Sequence, residues 1–294
     1  WAADHTAADD PQLVDAICRH VLPGSGVYAR PENVLVTLGT QHGLYLLAAL
    51  LVSPRTTFGV EDPGYPDVRN IAEFHGARLR QLNLDASGLC LDGALDGVDV
   101  AMVTPAHQCP TMVTMPLERR RALVDWARRS EAIVVEDDYE GEGSFGETPP
   151  PPLTALDDSG CVVHLGTFSK IIAPGVRLGY MVGPPPLIAE ARAARRLMHR
   201  NVPLNNQRTA ALFVAEGHYH ALRRRLRDAS RARWEAAVEA LERRLPEFWR
   251  SPSTSGSSLW LRCPAGVSGS VLFAEAKRQG VLLEPGEIFF ATAG

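Results

Sequence analysis

Lysine is scarce in this sequence. Of the 30 lysine and arginine residues in the chain, only Lys170 and Lys277 are lysines. The 34 acidic residues give a formal net charge of -4, and no basic block extends beyond short arginine-rich stretches. The charge pattern therefore does not indicate a nucleic-acid-binding surface, and we expect this chain alone to have no nucleic acid partner.

Paired cysteines and long apolar runs are also missing. No uninterrupted apolar run is long enough to span a membrane, so we expect no membrane association. The N-terminus lacks the charged and apolar regions of a signal peptide, and it begins without Met, as in a fragment of a longer protein. The cysteines are odd in number, scattered and without metal-type spacing, at Cys18, Cys90, Cys109, Cys161 and Cys263. This cysteine pattern predicts a reduced, cytoplasmic protein without a metal site.

What the sequence does contain is 45% apolar residues over 294 positions, enough for a large domain with a smaller lobe. Helix-like segments, including Leu117–Ser130, alternate with strand-like ones. This alternation predicts an α/β fold, with a mostly parallel seven-stranded sheet between helices and ligand sites at the carboxyl ends of the strands. The predicted strands are Asn33–Thr37, Thr57–Glu61, Ala77–Leu82, Val98–Thr104, Ala132–Glu136, Cys161–Gly166 and Leu178–Val182.

The pattern changes after Gly183. The remaining segments predict a smaller α+β lobe at the C-terminus. We therefore expect an N-terminal segment over residues 1–28, a large domain over 29–200 and a small, incomplete domain over 201–294. Helices are predicted over Leu187–Arg200, Thr209–Glu216, Tyr219–Leu245 and Ser270–Arg278, and short strands at Ser258–Arg262 and Gly280–Leu283.

Lys170 lies at the end of an apolar strand, next to small hydroxyl residues. A lysine there can form an imine with a phosphorylated aldehyde, while the Thr167 and Ser169 hydroxyls and Arg177 bind the phosphate. This chemistry is typical of pyridoxal 5'-phosphate (PLP). An arginine such as Arg177 is more often a surface residue in an arginine-rich sequence. Its fixed spacing after Lys170 along the chain is what makes it a candidate phosphate ligand. Lys277 belongs to a solvated helix face and has no predicted role.

Asp137 follows the predicted strand Ala132–Glu136 directly. A buried carboxylate at that point could keep a pyridine nitrogen protonated, which makes the ring an electron sink. The successive acids Glu136-Asp137-Asp138 could instead bind a divalent cation or form an ordinary strand-end turn. Lys170, one strand further along the chain, favours the cofactor role. Tyr139 could hydrogen-bond the phenolic oxygen of the ring, or could pack on the surface as a loop tyrosine.

Gly39, Thr40 and Gln41 join a predicted strand to a helix that continues to Leu51. Backbone N–H groups at the N-terminus of a helix bind phosphate well, although many strand–helix turns look similar. Tyr65 follows the next predicted strand. It could stack on the pyridine ring, or it could be a tyrosine in a proline-stiffened turn.

His107, Gln108 and Cys109 follow the fourth predicted strand, just before Pro110. By position alone they should border the cofactor. Cys109 could act as a nucleophile, but the sequence shows no pair that would activate it, so a small packed thiol is the favoured interpretation.

Five segments, in this order and spacing, resemble those of fold-type I PLP enzymes. The resemblance is to class I/II aminotransferases, especially their aminoadipate-aminotransferase-like group, and to the similar effector domains of MocR-type regulators. Five motifs in order are a specific signal, whereas any one of them would be weak. The segments are Thr37–Leu44, Glu61–Pro66, Thr104–Thr111, Val135–Glu140 and Gly166–Gly179.

The resemblance implies a role for each candidate residue. Lys170 would be the Schiff-base lysine, Asp137 would lie at the pyridine nitrogen, and Tyr139 would lie at the ring oxygen. Tyr65 would be the stacking ring. The resemblance also implies a homodimer with active sites at the interface, and an amino acid or keto acid as substrate. The residues on the phosphate would be Thr40, Gln41, Thr167, Ser169 and Arg177.

The sequence also departs from the family pattern. Cys109 stands where many aminotransferases have Asn and MocR-like proteins have an aromatic residue, and Met112 stands where Gly is usual. The N-terminal tyrosine and glycine that help the phosphate site of the partner subunit have no clear match in Trp1–Pro11. The arginine that binds the substrate carboxylate would lie beyond Gly294, so it is absent from this chain.

The predicted function is that of a PLP-dependent enzyme acting at the α-carbon of an amino acid, with an aminotransferase favoured. One alternative keeps the cofactor but changes the reaction to elimination, replacement, oxidation or carbon–carbon bond formation. Another is the effector domain of a MocR-type transcription regulator, which would require a DNA-binding segment that these 294 residues do not contain.

Overall fold

The computed structural model describes residues 8–140, Phe145 and residues 149–291. The predicted N-terminal segment therefore has its first seven residues outside the described part. The strands are β1 (Val34–Thr37), β2 (Thr57–Asp62), β3 (Arg78–Asp85), β4 (Gly88–Leu89), β5 (Val100–Val103), β6 (Ile133–Asp138), β7 (Val162–Thr167), β8 (Gly179–Val182), β9 (Trp249–Arg250) and β10 (Leu261–Arg262). The α-helices are α1 (Pro11–Ala16), α2 (Thr40–Leu51), α3 (Pro66–Phe74), α4 (Leu117–Ser130), α5 (Leu153–Leu156), α6 (Pro185–His199), α7 (Leu204–Ala215), α8 (His218–Arg244) and α9 (Gly269–Arg278).

Strands β1 to β8 form one mixed sheet in the order β1-β8-β7-β6-β5-β2-β3-β4. Strands β3, β2, β5, β6 and β7 run parallel, and β8 is antiparallel to both β7 and β1. All seven predicted strands are present. The prediction of seven strands was nevertheless one too few, because Gly88–Leu89 pairs antiparallel with β3 at the edge. A two-residue strand is too short to produce a recognisable sequence pattern.

Helices cover both faces of this sheet, as the sequence predicts for an α/β fold. Successive residues of a strand point to opposite faces. Val135 of β6 and Val163 of β7 pack in a cluster with α2, α3 and α6. Their neighbours Val134 and Val162 pack with α4 and α5 on the other face. Burial on both faces explains why the central strands are near-continuous apolar runs.

The C-terminal lobe differs from the prediction in its strands. Of Ser258–Arg262, only Leu261–Arg262 forms a strand, and it pairs with Trp249–Arg250. The predicted strand Gly280–Leu283 is wrong. Gly280 has φ +81, and the N–H of Val281 donates to the Ala276 carbonyl at 2.9 Å. These backbone groups close the C-terminus of α9, so they are not available for strand pairing.

The four predicted C-terminal helices form as α6, α7, α8 and α9. Helix α7 begins five residues before its predicted start at Thr209, and the other ends differ by at most two residues. Helix α7 packs against α1, within a cluster that also contains Val34 of β1 and Val182 of β8. The division into segments 1–28, 29–200 and 201–294 stays a prediction. In the described residues, we find no helix with the length and apolar content needed to cross a bilayer.

Candidate cofactor-binding site

A cavity of about 720 Å³ opens where the parallel strands β2, β5, β6 and β7 end. This is the edge of the sheet at which the sequence predicts a ligand site. Residues 248–289, which we call the small lobe, form the opposite wall, with side chains such as Phe248, Trp260 and Leu272. The ten predicted site residues all line this cavity: Gly39, Thr40, Gln41, Tyr65, Asp137, Tyr139, Thr167, Ser169, Lys170 and Arg177.

Asp137 lies at the end of β6 and is 4% exposed. Burial raises the pKa of its carboxyl group to about 7, and the nearby Asp138 charge contributes in the same direction. Its Oδ1 atom is buried and accepts no hydrogen bond within the described structure. A buried acceptor without a donor is costly, so this oxygen suits a ligand that brings its own N–H, such as a protonated pyridine nitrogen.

Glu136, the preceding acid, has a different environment from Asp137. Its Oε2 atom lies 3.1 Å from Nδ1 of buried His164, and its carboxylate accepts the N–H groups of Leu153 and Thr154 at 2.8 and 3.3 Å. Burial alone would raise the pKa of Glu136, but these hydrogen bonds hold it below its ordinary value. Glu136 is therefore a structural carboxylate that anchors α5.

The sequence left open that Glu136, Asp137 and Asp138, at the end of β6, bind a divalent cation. Within residues 8–140, 145 and 149–291, no group of three or more His, Cys, Asp and Glu side chains is arranged to hold a metal ion. Asp138, the third acid, also has a raised pKa, because it is buried beside Glu136.

The predicted phosphate-binding residues come from two parts of the chain. Gly39 precedes α2 with φ +80 and ψ 176, a conformation that only glycine adopts readily. Arg177 packs against it: a Cβ built on Gly39 would lie 3.4 Å from Nη2 of Arg177. The same Nη2 donates to the Leu38 carbonyl at 3.2 Å. The N-terminus of α2 and a guanidinium group thus lie side by side, as a phosphate requires.

The hydroxyl residues before Lys170 complete this region. The N–H of Ser169 donates to Oγ1 of Thr167 at 3.1 Å. The Ser169 hydroxyl is buried and has no hydrogen-bond partner within the described structure. It can therefore donate to a phosphate oxygen, whereas Lys170 itself is exposed at the cavity.

Tyr65 lies in a polar triangle that the sequence did not indicate. Its hydroxyl donates to either Oε1 of Gln41 at 3.2 Å or Oδ2 of Asp67 at 3.1 Å. Nε2 of Gln41 also donates to Oδ2 of Asp67, at 2.9 Å. Burial and the Asp67 charge raise the pKa of Tyr65, so its hydroxyl stays protonated. Asp67, which was not among the predicted residues, thus holds the ring of Tyr65 at the N-terminus of α3.

Sulfur atoms occupy the cavity wall next to Tyr139. The Tyr139 hydroxyl donates to Sδ of Met112 at 3.5 Å. Cys109 also lines the cavity, and burial, with the charge of Glu61, raises the pKa of its thiol to about 12. A thiol with this pKa is not a thiolate near neutral pH, which favours the packed role over the nucleophile.

His107 and Gln108 were expected to border the cofactor, but they are not among the residues that line the cavity. Nε2 of His107 lies 3.0 Å from Oγ of Ser255, in the small lobe. Glu140 accepts the N–H of Ser257 at 3.2 Å and also accepts its hydroxyl. His107 and Glu140 therefore bind residues 251–260, which we call the small-lobe loop, to the segments that follow β5 and β6. The sequence could not reveal this contact between distant segments.

Comparison with known proteins identifies the family. The family model for aminotransferase class I and II matches residues 6–289. The crystal structure of Pyrococcus horikoshii kynurenine aminotransferase, in complex with PMP, superposes with a TM-score of 0.90 at 29% identity, over 99% of this chain and 74% of that one. LysN, an α-aminoadipate aminotransferase from Thermus thermophilus complexed with N-(5'-phosphopyridoxyl)-L-leucine, gives 0.91 at 27% identity, over 99% and 76%.

A transcription regulator is also similar over nearly the whole chain. The HTH-type transcriptional regulator TauR of Rhodobacter capsulatus is 41% identical over 292 residues, which are 99% of this chain and 60% of TauR. The chain thus spans less than two thirds of the length of this relative. The cofactor of the family is pyridoxal 5'-phosphate, and the unpaired oxygens of Asp137 and Ser169 fit its ring nitrogen and its phosphate. The fold, the family match and the fit of the cavity to this cofactor together show that the chain belongs to the aminotransferase class I and II family, within fold-type I.

Proposed function

We propose that this chain binds PLP and reacts with the amino group and α-carbon of an amino acid, as an aminotransferase does. One observation carries the proposal: Lys170 lines the same cavity as Asp137, a buried carboxylate with an oxygen that has no hydrogen-bond donor among the described residues. An amine and an unpaired acid on one cavity are the two groups that pyridoxal chemistry requires of its protein.

The proposed binding residues would contact three parts of the cofactor, namely its phosphate, its ring nitrogen and the face of its ring. Arg177, Ser169 and the N-terminus of α2 at Thr40 would hold the phosphate by charge and by N–H and O–H donors. Asp137 would accept the N–H of the pyridine ring, which lowers the cost of its own burial. Tyr65 would limit the tilt of the ring by stacking.

When bound, PLP supplies an electron-withdrawing ring that makes the α-proton of an amino acid more acidic. Lys170 would hold the cofactor between reactions and, when released, would use its amine as the general base at the substrate α-carbon. Tyr139 would donate its hydroxyl proton to the ring oxygen instead of to Sδ of Met112. Because burial raises the pKa of Tyr139, it keeps the proton that this role needs.

A second candidate function is ligand sensing by a transcription regulator. The identity of 41% to TauR over nearly the whole chain favours it. In that case the same residues would bind the cofactor and an amino-group ligand, and the reaction would stop before a product is released. A DNA-binding segment would then have to be encoded outside these 294 residues.

The test is to load the purified protein with PLP, add single amino acids in turn, and measure keto acid and the amine form of the cofactor by chromatography. We expect keto acid with at least one amino acid. Lys170→Ala should reduce its rate of formation by a factor of about a thousand or more, because general-base catalysis is lost. Lys277→Ala, on the solvated surface of α9, is the matched control and should retain the rate.

The outcomes separate the two candidates. Keto acid formed together with the amine form of the cofactor, in a reaction that depends on Lys170, selects the aminotransferase. A change in the cofactor spectrum that depends on Lys170 but yields no keto acid selects ligand sensing, and ammonia release selects another PLP reaction. If the protein fails to bind PLP after reconstitution, the proposal is wrong in each of these forms.

A further inference from the structure

Gln108 is a nearly fully buried amide, 1% exposed, that lies behind the cavity wall. It stands between the end of β5 and the turn formed by residues 109–112, which we call the Cys109 turn. Across from it is the turn formed by residues 62–65, which follows β2 and which we call the Tyr65 turn. Each of these turns carries residues that line the cavity.

The side chain of Gln108 bonds to both turns. Its Nε2 has three acceptors within hydrogen-bond distance, which share its two N–H groups: the Pro63 carbonyl at 2.9 Å, the Cys109 carbonyl at 2.6 Å and Oε2 of Glu61 at 3.1 Å. Its Oε1 accepts the N–H of Thr111 at 3.0 Å and the Thr111 hydroxyl at 2.6 Å. One amide therefore contacts the Tyr65 turn through the Pro63 carbonyl, and the Cys109 turn through both the Cys109 carbonyl and Thr111.

Glu61 and Thr104 extend this connection to the strands. The Thr104 hydroxyl donates to Oε2 of Glu61 at 2.6 Å, and the Cys109 N–H donates to Oγ1 of Thr104 at 3.0 Å. Glu61 belongs to β2, and Thr104 directly follows β5. The ends of two neighbouring strands and both turns thus share one buried hydrogen-bond network.

The Tyr65 turn is also held from its other side. The N–H of Gly64 donates to the Phe289 carbonyl at 2.9 Å, and Oδ1 of Asp62 accepts the N–H of Ala291 at 2.8 Å. A Cβ on Gly64 would lie 2.1 Å from the Glu61 carbonyl oxygen, so this turn has no space to move towards β2. On the side of the Cys109 turn, the Gln108 amide contacts the Tyr65 turn through the Pro63 carbonyl.

We infer that Gln108 is a positioning residue, which sets the separation of the Tyr65 turn and the Cys109 turn and thereby places Tyr65 against one face of the cofactor ring. The inference rests on the proposed function for the role of Tyr65. It assigns Gln108 no contact with the cofactor or the substrate.

The decisive variant is Gln108→Met, which keeps the length of the side chain and removes its hydrogen bonds. We expect the affinity for PLP to fall about tenfold or more, and the circular dichroism of the bound cofactor to weaken, because Tyr65 is displaced. In the cofactor-free protein, amide hydrogen exchange should become faster at residues 62–65 and 109–112 and stay unchanged at β7. Gln279→Met, at the solvent-exposed end of α9, is the matched control and should match the original protein.

A double-mutant cycle tests whether Gln108 acts through Tyr65. Tyr65→Leu alone should weaken PLP binding, and Gln108→Met added to it should cause little further loss, since the ring that Gln108 positions is gone. Fully additive losses would show that Gln108 acts elsewhere and would overturn the inference. So would Gln108→Met with PLP affinity within twofold of the original protein.

Two further measurements cover the cases in which Gln108→Met does not fold or the original protein does not bind PLP. Should Gln108→Met not fold, Thr111→Val removes a single hydrogen bond at Oε1 and should give the same changes to a smaller extent. If the original protein does not bind PLP, the proposed function fails, and hydrogen exchange in the cofactor-free protein still decides the positioning role. Unchanged exchange at both turns would then refute it.

Discussion

The hydroxyl group of Tyr139 donates a hydrogen bond to the thioether sulfur of Met112, at 3.5 Å. Met112 is 2% exposed and has φ +60, a backbone conformation that favours glycine. A Cβ built on Gly256 would lie 2.4 Å from its Cε atom, so the side chain packs closely against the small-lobe loop. This explains the departure noted in the sequence: where glycine is usual, the chain uses a strained methionine to join Tyr139 to the small lobe.

Replacing Met112 by Gly should therefore destabilise the protein although it relieves the backbone. Loss of a buried methionine side chain costs about 2–5 kcal/mol, and glycine at positive φ recovers about 1 kcal/mol. We expect a net loss of about 2 kcal/mol in the free energy of unfolding, measured by urea denaturation. Met112→Leu keeps the volume and should cost less than about 1.5 kcal/mol. If Met112→Gly were as stable as the original protein, the packing role would be refuted.

Gly39→Ala should weaken PLP binding. Gly39 has φ +80, and the new Cβ would lie 3.4 Å from Nη2 of Arg177, at the predicted phosphate site. We expect the dissociation constant for PLP, from fluorescence titration, to rise about tenfold or more, because the helix N-terminus and the guanidinium group move apart.

Gly217→Ala is the control for that substitution. Gly217 also has φ +80, but a Cβ there meets no atom of the described residues within 4 Å, and Gly217 is not among the residues that line the cavity. It should cost about 1 kcal/mol of stability and leave the affinity for PLP unchanged. Equal losses of affinity in both variants would mean that backbone strain alone, and no phosphate contact, explains the effect.

Asp137→Asn should change how the stability of the cofactor-free protein depends on pH. In the folded protein burial raises the pKa of Asp137 from 3.8 to about 7. Because the folded pKa lies above the unfolded one, the charged carboxylate destabilises the fold, and stability falls as the pH rises between about 4 and about 7. The variant should be more stable than the original protein at about pH 8, by at most about 4 kcal/mol, and equal to it at about pH 4.

Thermal denaturation across this pH range measures the effect, with Asp158→Asn, an exposed position, as the control. The same Asp137→Asn variant should bind PLP more weakly, because a neutral amide cannot keep the pyridine nitrogen protonated. A difference in stability that does not change with pH would contradict the buried environment of Asp137.

His164→Leu should be among the more destabilising substitutions. Nδ1 of His164 lies 3.1 Å from Oε2 of Glu136, with both side chains buried, so the variant leaves a buried carboxylate without this partner. We expect a loss of about 3–5 kcal/mol in the free energy of unfolding near neutral pH. His218→Leu breaks a similar pair with Glu216 at 3.2 Å that is exposed, and should cost less than about 1 kcal/mol.

The stability contributed by His164 and Glu136 depends on pH. Burial lowers the pKa of His164, but the hydrogen bond and the charge of Glu136 outweigh this effect and raise it. In return, the pKa of Glu136 is lowered. The contribution of His164 is lost as the pH rises through its raised pKa, and that of Glu136 is lost as the pH falls through its lowered pKa. Destabilisation by His164→Leu should thus be largest between these two values. A loss that is equal for the buried and the exposed pair would refute the assignment.

Local patterns in the sequence were sufficient for seven of the eight strands of the sheet and for the ten predicted site residues that line the cavity. The apolar runs of β1, β5, β7 and β8 are fully buried in the structure, and parallel strands must end at a common edge. For that reason Lys170, Asp137 and Gly39, each placed next to a predicted strand, reach one cavity. The strand at Gly280–Leu283 failed because a short apolar run does not reveal whether a pairing partner exists, and Gly280 instead closes a helix.

The tertiary structure decided which polar residues near that edge face the cavity and which support it. Glu136 and Asp137 are adjacent in sequence, yet Glu136 pairs with His164, whereas one oxygen of Asp137 has no hydrogen-bond partner in the part of the chain that the structure describes. The reason is that neighbouring strand residues point in opposite directions. Gln108 and Asp67 were missed as supporting residues because their partners lie far away along the chain or across a turn. Sequence by itself determined the order of strands, helices and chemical groups, since these depend on neighbours along the chain. Hydrogen bonds such as that from Gln108 to Pro63 depend on how separate segments pack, and only the folded structure contains that information.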